Sequence, residues 1–367
     1  ISAGDIKKIE VITTPPAKYE AAGNGGLINI ILKKGQLNSW KNTISATNNI
    51  NTYNFFTLRN SLLYNKNKIS LSLNLNGTKG NSKNTESFQV YYPNSAWDIN
   101  INTKEKQDKI SGQLLLDYNL TNNTTIGIQY LGNSNTPNLT DKSISEIFNQ
   151  SNAIDSLLIN NGVNRSKVNS HLINLHANTE LDSLGRSISF DVDYFTYDSN
   201  QNRNFITNSF TPNNNFLGIN TSANNFTSQN IENFSIKTDV EHPTNFINLS
   251  YGFKISNIKN KSDIQFFNTI KGSPILDSNI SNTFKYEENN QAIYVSGLKK
   301  IDAKWDIQLG LRLESTKTKG FSLELNETNT KNYSKLFPSF YASYLKNENN
   351  SNSFNSYFLY LLSKLRW

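Results

Sequence analysis

The chain has no cysteine and no methionine, only three histidines, and eight prolines in 367 residues. The missing thiols exclude disulfides, thiolate metal sites, iron–sulfur clusters and a cysteine nucleophile. Three histidines leave little material for a metal centre. His171 and His176 are five apart, on opposite faces of a strand, and His242 precedes Pro243 in an expected turn. No metal or other cofactor is expected. No apolar run reaches 18 residues, which excludes a membrane-spanning helix. A basic, apolar, cleavable leader is also missing. These absences leave a soluble β protein or a membrane β-barrel, whose strands never show a long apolar run. For a barrel, the missing leader would make the chain a fragment.

What is present is asparagine, 61 residues of it, together with 21 Phe, 17 Tyr and 4 Trp. Asparagine disfavours both helix and strand, whereas aromatics are scarce in disordered chains. Hydrophobic residues reach only 36%, and mean hydropathy is −0.55. Long bundled helices are excluded. The net charge of +7 comes from scattered Lys and Arg rather than one basic face, so a solvated rim is expected and nucleic acid is not.

Alternation with a period of two recurs along the chain. Trp305, Ile307, Leu309, Leu311 and Leu313 interleave with Asp306, Gln308, Gly310, Arg312 and Glu314. Ile188, Phe190, Val192 and Tyr194 interleave with Ser187, Ser189, Asp191 and Asp193, and residues 69–76 and 247–256 behave alike. Reading each such segment as a strand gives about thirteen after residue 36, near 40–49, 54–64, 68–78, 107–119, 123–132, 167–180, 186–198, 231–241, 245–257, 288–300, 304–315, 336–345 and 353–362. From the second strand onward, short connections alternate with long ones at 79–106, 133–166, 199–230, 258–287 and 316–335. In a meander, that places tight turns at one end and long loops at the other, as in outer-membrane barrels. The expected fold is all-β, an antiparallel up-and-down transmembrane barrel of about 13 strands. Its apolar positions should face lipid, and Asp191, Asp193, Lys254, Arg312 and Glu314 a wet lumen.

The first thirty-six residues differ. A short apolar strand ends in Thr13-Thr14-Pro15-Pro16. Ala17-Lys18-Tyr19-Glu20-Ala21-Ala22 follows, then Gly23-Asn24-Gly25-Gly26, then a strand through Leu27-Ile28-Asn29-Ile30-Ile31-Leu32. Proline stops one strand and glycine permits a sharp return into the next. The cluster lacks the ending and the following helix of a phosphate loop. The stretch from Ile9 to Lys34 resembles the C-terminal end of the plug domain of TonB-dependent outer-membrane receptors, nearest to the Bacteroidetes-type outer-membrane β-barrel proteins. Lys335-Leu336-Phe337-Pro338-Ser339 and Gly310-Leu311-Arg312-Leu313-Glu314 are similar to barrel strands of that family.

The resemblance implies the end of a plug in residues 1–36, with Pro15, Pro16, Tyr19, Gly23, Asn24, Gly25, Gly26 and Asn29 as its structural motif. Residues 37–367 would be part of a barrel of about 22 strands in the bacterial outer membrane. It also implies energy-coupled uptake of an unidentified small ligand, with outer-membrane lipid and an inner-membrane energy-transducing complex as partners. The segment contacting that complex would lie outside this chain. Tyr91, Tyr92 and Trp97 stand in an expected loop and could stack on a ligand or anchor an interface. No catalytic residue is expected, because Asp191 and Asp193 read as lumen acids and not as an acid–base pair; the chain is expected not to be an enzyme. A passive pore or surface-binding barrel is the alternative reading, and a secreted glycan-binding β protein the next. The run Tyr357–Leu362 is apolar on both faces. From about residue 356 the expectation is therefore a truncated or frame-shifted tail, and a sheet whose 40–49 strand keeps one edge unpaired.

Overall fold

The computed structural model describes residues 6–12, 17–19, 27–32, 38–302, 304–345 and 354–355. Two strands, β1 (Ile6–Ile12) and β2 (Leu27–Leu32), form a separate antiparallel hairpin in which Ile9 pairs with Ile30 and Ile12 with Leu27. The rest is one antiparallel sheet: β3 (Ser39–Ile50), β4 (Asn54–Lys66), β5 (Ile69–Tyr92), β6 (Ser95–Asn119), β7 (Thr124–Asn135), β8 (Asn138–Phe148), β9 (Ile154–Glu180), β10 (Ser187–Phe210), β11 (Phe216–Pro243), β12 (Asn248–Asn268), β13 (Ile275–Leu276), β14 (Asn282–Lys300), β15 (Trp305–Ser322), β16 (Glu327–Leu345) and β17 (Phe354–Asn355). Neighbours follow chain order from β3 to β17, with the two-residue β13 attached only to β12. Strands β7 and β8 are two halves of one strand. Both lie between β6 and β9, interrupted at Thr136-Pro137, where proline has no N–H for the ladder. Counted so, the path has thirteen positions. Among the described residues β3 pairs with β4 alone, and β17 with β16 alone. Of the expected terminal strand only 354–355 is described, and the expected tail lies outside the described residues.

The sheet does not fold over an apolar core. Its accessible surface is 23548 Å², against about 15,000 Å² expected for a compact soluble monomer of this mass. Large apolar residues such as Leu309, Ile293, Leu175 and Phe190 are exposed, and the buried hydrophobic residues among those described include Leu157, Tyr294 and the small Ala223 and Ala292. In the halves of the strands nearer the tight turns, the exposed apolar side chains, Leu309, Ile293, Leu175 and Phe190 among them, share one face. On that face polar residues take over at His171, Thr196, Glu232, Asn257, Gln291, Ser315 and Ser334, on seven consecutive strands from β9 to β16. The Tyr130 hydroxyl meets His171 Nδ1 at 2.8 Å along this line, as aromatic residues do at the edge of a barrel's apolar band. On β15 the band runs from Trp305 to Leu313. Nine residues at ~3.3 Å rise, tilted by ~40°, cover roughly 23 Å, close to the ~25 Å band of outer-membrane barrels.

The expected long loops are not loops. Residues 79–92 and 95–106 continue β5 and β6, 199–210 and 216–230 continue β10 and β11, and 154–166 belongs to β9. The distal turns shrink to Pro93-Asn94, residues 149–153, residues 211–215 and residues 323–326. Only the connection at 269–281 remains long. Above the band both faces are wet, so alternation fades while the backbone ladder continues. On β10 about fifteen residues extend past Thr196, on the order of 50 Å of strand. At the opposite end turns are tight and pinned by side chains. Asn67 takes a φ of 55° in a two-residue hairpin. Thr244 Oγ1 accepts from Ile247 N at 3.1 Å, and Asp302 Oδ1 from Trp305 N at 2.8 Å.

Candidate functional site on the inner face

Cross-strand register places the second face in rows. Asp191 stands beside Lys237, then Lys254, Ala292 and Glu314. One row nearer the tight turns run Asp239, Gly252, Tyr294 and Arg312. Asp193 lies one row the other way, beside Asn174 and Ser235. Asp191, Asp193, Lys254, Arg312 and Glu314 thus occupy one face within three adjacent rows. Asn174 Nδ2 donates to Asp193 at 2.9 Å and to Asp191 at 3.3 Å, and Ser235 Oγ donates to Asp193 at 3.2 Å. The two carboxylates are tied into an amide and hydroxyl network.

Three glycines let side chains on this face cross a whole strand. His176 on β9 reaches Asp117 on β6 at 3.0 Å over Gly127, where a Cβ would lie 2.3 Å from His176 Nε2. Arg203 on β10 grips Asp141 on β8 with two bonds of 2.9 and 3.0 Å over Gly162. Tyr294 on β14 donates to Asp239 on β11 at 2.5 Å over Gly252. In each case a donor and a carboxylate two strands apart meet because the strand between them lacks a side chain.

The segment between β1 and β2 is seated on the same face. Ala17 is buried, and its carbonyl accepts from Arg312 Nη1 at 3.3 Å. Arg312 is almost fully buried at 2% exposure; its Nε donates to Glu314 at 2.5 Å and its guanidinium lies 5.2 Å from the Tyr294 ring centre. A buried cation is tolerated when paired in this way. Gly310 makes the room, since a Cβ there would stand 3.1 Å from Ala17 Cβ. Lys18 Nζ bonds Glu241 at 3.1 Å, and Lys18 and Lys237 flank the Tyr19 ring at 5.7 and 5.8 Å. Burial works to lower the Lys18 pKa, but the Glu241 and Asp239 carboxylates outweigh it and hold it above the ordinary lysine value.

Other expected residues lie apart. Asn29 on β2 donates to Glu10 at 3.0 Å, and Glu10 also accepts from Lys8 at 2.8 Å; these bonds hold the Glu10 carboxyl below its usual value. Pro15, Pro16, Gly23, Asn24, Gly25 and Gly26 lie outside the described residues. Tyr91, Tyr92 and Trp97 are not on a loop but at the far tip of the β5–β6 hairpin, where the rings of Tyr92 and Trp97 meet edge-on at 5.6 Å. They are at the opposite end of the strands from Ala17. Lys18, Lys237, Asp239, Glu241 and Tyr294 were not singled out from the sequence. The glycines at polar positions of alternating strands, Gly252 and Gly310, were the available signal.

Residues 179–358 match the outer membrane protein beta-barrel family. No curated protein matches the chain. Among solved structures, the crystal structure of the outer membrane protease OmpT from Escherichia coli is similar at 10% identity, covering 72% of this chain and 90% of that one with a TM-score of 0.25. At that score the likeness assigns no activity to this chain. The expectation that the chain is not an enzyme is corrected by this finding, since the matched structure is that of a protease. The all-β fold, the apolar outer band and the matched family place the protein in the bacterial outer membrane.

Proposed function

We propose that this chain belongs to a plugged, TonB-dependent outer-membrane receptor of the Bacteroidetes type, taking up a small ligand by energy coupling. In this reading residues 1–36 are the end of the plug and residues 37–367 barrel wall. The observation that carries it is the seating of Ala17–Tyr19 on the inner face by buried Arg312 and by the Lys18–Glu241 pair. A passive pore has no use for a chain segment bonded across its lumen wall. The contacts are polar and few, as a segment that must detach on demand requires. The neighbouring lipid, the inner-membrane energy-transducing complex and the ligand are the partners this function implies.

The test uses cells that make the protein with cysteine in place of Ala17, in a chain otherwise free of thiols. Energy coupling predicts that a maleimide labels this site faster when the inner membrane is energised, and that a protonophore abolishes the difference. Equal labelling in both states counts against coupling and favours the passive barrel.

A further inference from the structure

We infer that the inner face of β3–β10 is a binding site for a small hydroxyl-bearing anion, the chemistry of a short acidic saccharide. A concave cleft of about 740 Å³ opens there, lined from seven strands, within the ~300–1,000 Å³ of small-molecule sites. Its charge is one-sided. Among the described residues Lys41, Arg59 and Lys109 line it and no carboxylate does, whereas the inner face of β10–β15 mixes both signs. Three cations held without a counter-charge favour an anion.

Two further features narrow the class. Leu131, Leu172 and Phe195 stand side by side in register along the floor. This apolar strip, in an otherwise amide- and hydroxyl-lined surface, suits the C–H face of a ring. Beside it Gln113 is 6% exposed, and among the described residues its Oε1 has no hydrogen-bond partner; the buried Oδ1 of Asn74, its neighbour in register, has none among them either. Unpaired buried acceptors are costly, and both are met by hydroxyl donors. Cations, apolar floor and orphan acceptors in one cleft call for an anion that also carries a ring and hydroxyls. A bare inorganic anion would leave the last two unused.

The site is read at equilibrium on purified protein in lipid nanodiscs, so the result stands apart from energy coupling. Calorimetric titrations compare a sulfated disaccharide, its unsulfated parent and inorganic sulfate. The sulfated sugar should bind best and weaken with salt. Arg59→Gln and Lys109→Gln should each reduce its affinity about tenfold, the effect of one charge-assisted contact. Gln113→Leu should narrow the gap between sulfated sugar and inorganic sulfate, while Lys285→Gln, outside the cleft, should change nothing. Circular dichroism establishes that each variant folds. Equal binding of the neutral parent, equal binding of inorganic sulfate, no binding by any probe, or unchanged affinity in folded Arg59→Gln and Lys109→Gln would each overturn the inference.

Discussion

Gly162→Ala separates the strand-crossing arrangement from ordinary strand propensity by the sign of its effect. Alanine in a strand interior is normally favoured over glycine by ~0.5–1 kcal/mol. At Gly162, however, the new Cβ would lie 2.7 Å from Asp141 Oδ1 and 2.8 Å from Arg203 Nη2. Real Cβ atoms essentially never sit that close, so the bidentate pair must shift away from this geometry, at a cost up to that of losing its bonds. Asp141 retains only 11% side-chain exposure and Arg203 33%, so the part-screened loss is on the order of 2–3 kcal/mol. Net destabilisation of ~1–2 kcal/mol should follow, read as a lower urea midpoint for unfolding from lipid vesicles. Gly77→Ala is the control, since nothing lies within 4 Å of a Cβ there; it should be neutral or stabilising. In an Asp141→Ala, Arg203→Ala background the Gly162 effect should vanish. If Gly162→Ala stabilises as much as Gly77→Ala, the reasoning is refuted.

Leu309→Arg, at the middle of the outer apolar band, should destabilise by ~2–4 kcal/mol, and Ser315→Arg, at its edge, by ~0–1 kcal/mol, both in the same urea assay. Arg312→Leu removes the donor to the Ala17 carbonyl and strands Glu314 at 13% side-chain exposure; limited trypsin digestion should cut at Lys18 many times faster than in the parent. Above the band, burial and the Glu288 carboxylate push the Tyr286 hydroxyl up to about 12. Its folded pKa exceeds the unfolded value of ~10, so its contribution is complete below pH ~10 and is lost as pH rises toward ~12. The tyrosinate absorbance of the parent minus that of Tyr286→Phe should show one step near the upper value, and a step near 10 would contradict it.

The sequence made legible only what the bilayer imposes. Alternation such as Trp305–Leu313 appears because one face meets lipid and the other water, and it stops where both faces meet water. The upper halves of β5, β6, β9, β10 and β11 therefore read as asparagine-rich loops, although their backbone ladders continue to the distal turns. The turn between Lys66 and Ile69 and the one at Thr244 were readable from local chemistry. Parity alone sets Asp191, Asp193, Lys254, Arg312 and Glu314 on one face. Their partners depend on register, which decides that Tyr294 crosses Gly252 to Asp239 and that Arg203 crosses Gly162 to Asp141. Arg312 and Ala17 are 295 positions apart, and no local pattern links them. The break at Pro137 was missed because the strand on its far side lies above the lipid.

A cysteine scan along residues 305–322 tests most directly that this sheet is the wall of an outer-membrane barrel. The chain has no native thiol, so each variant carries one probe. With a fluorophore on each cysteine in reconstituted vesicles, brominated lipid should quench positions 305, 307, 309, 311 and 313. An aqueous quencher should reach 306, 308 and 314 instead. From 315 onward both parities should respond to the aqueous quencher alone, marking strand that has left the bilayer. Aqueous quenching of both parities across 305–313, or lipid quenching that continues to 321, would contradict the account.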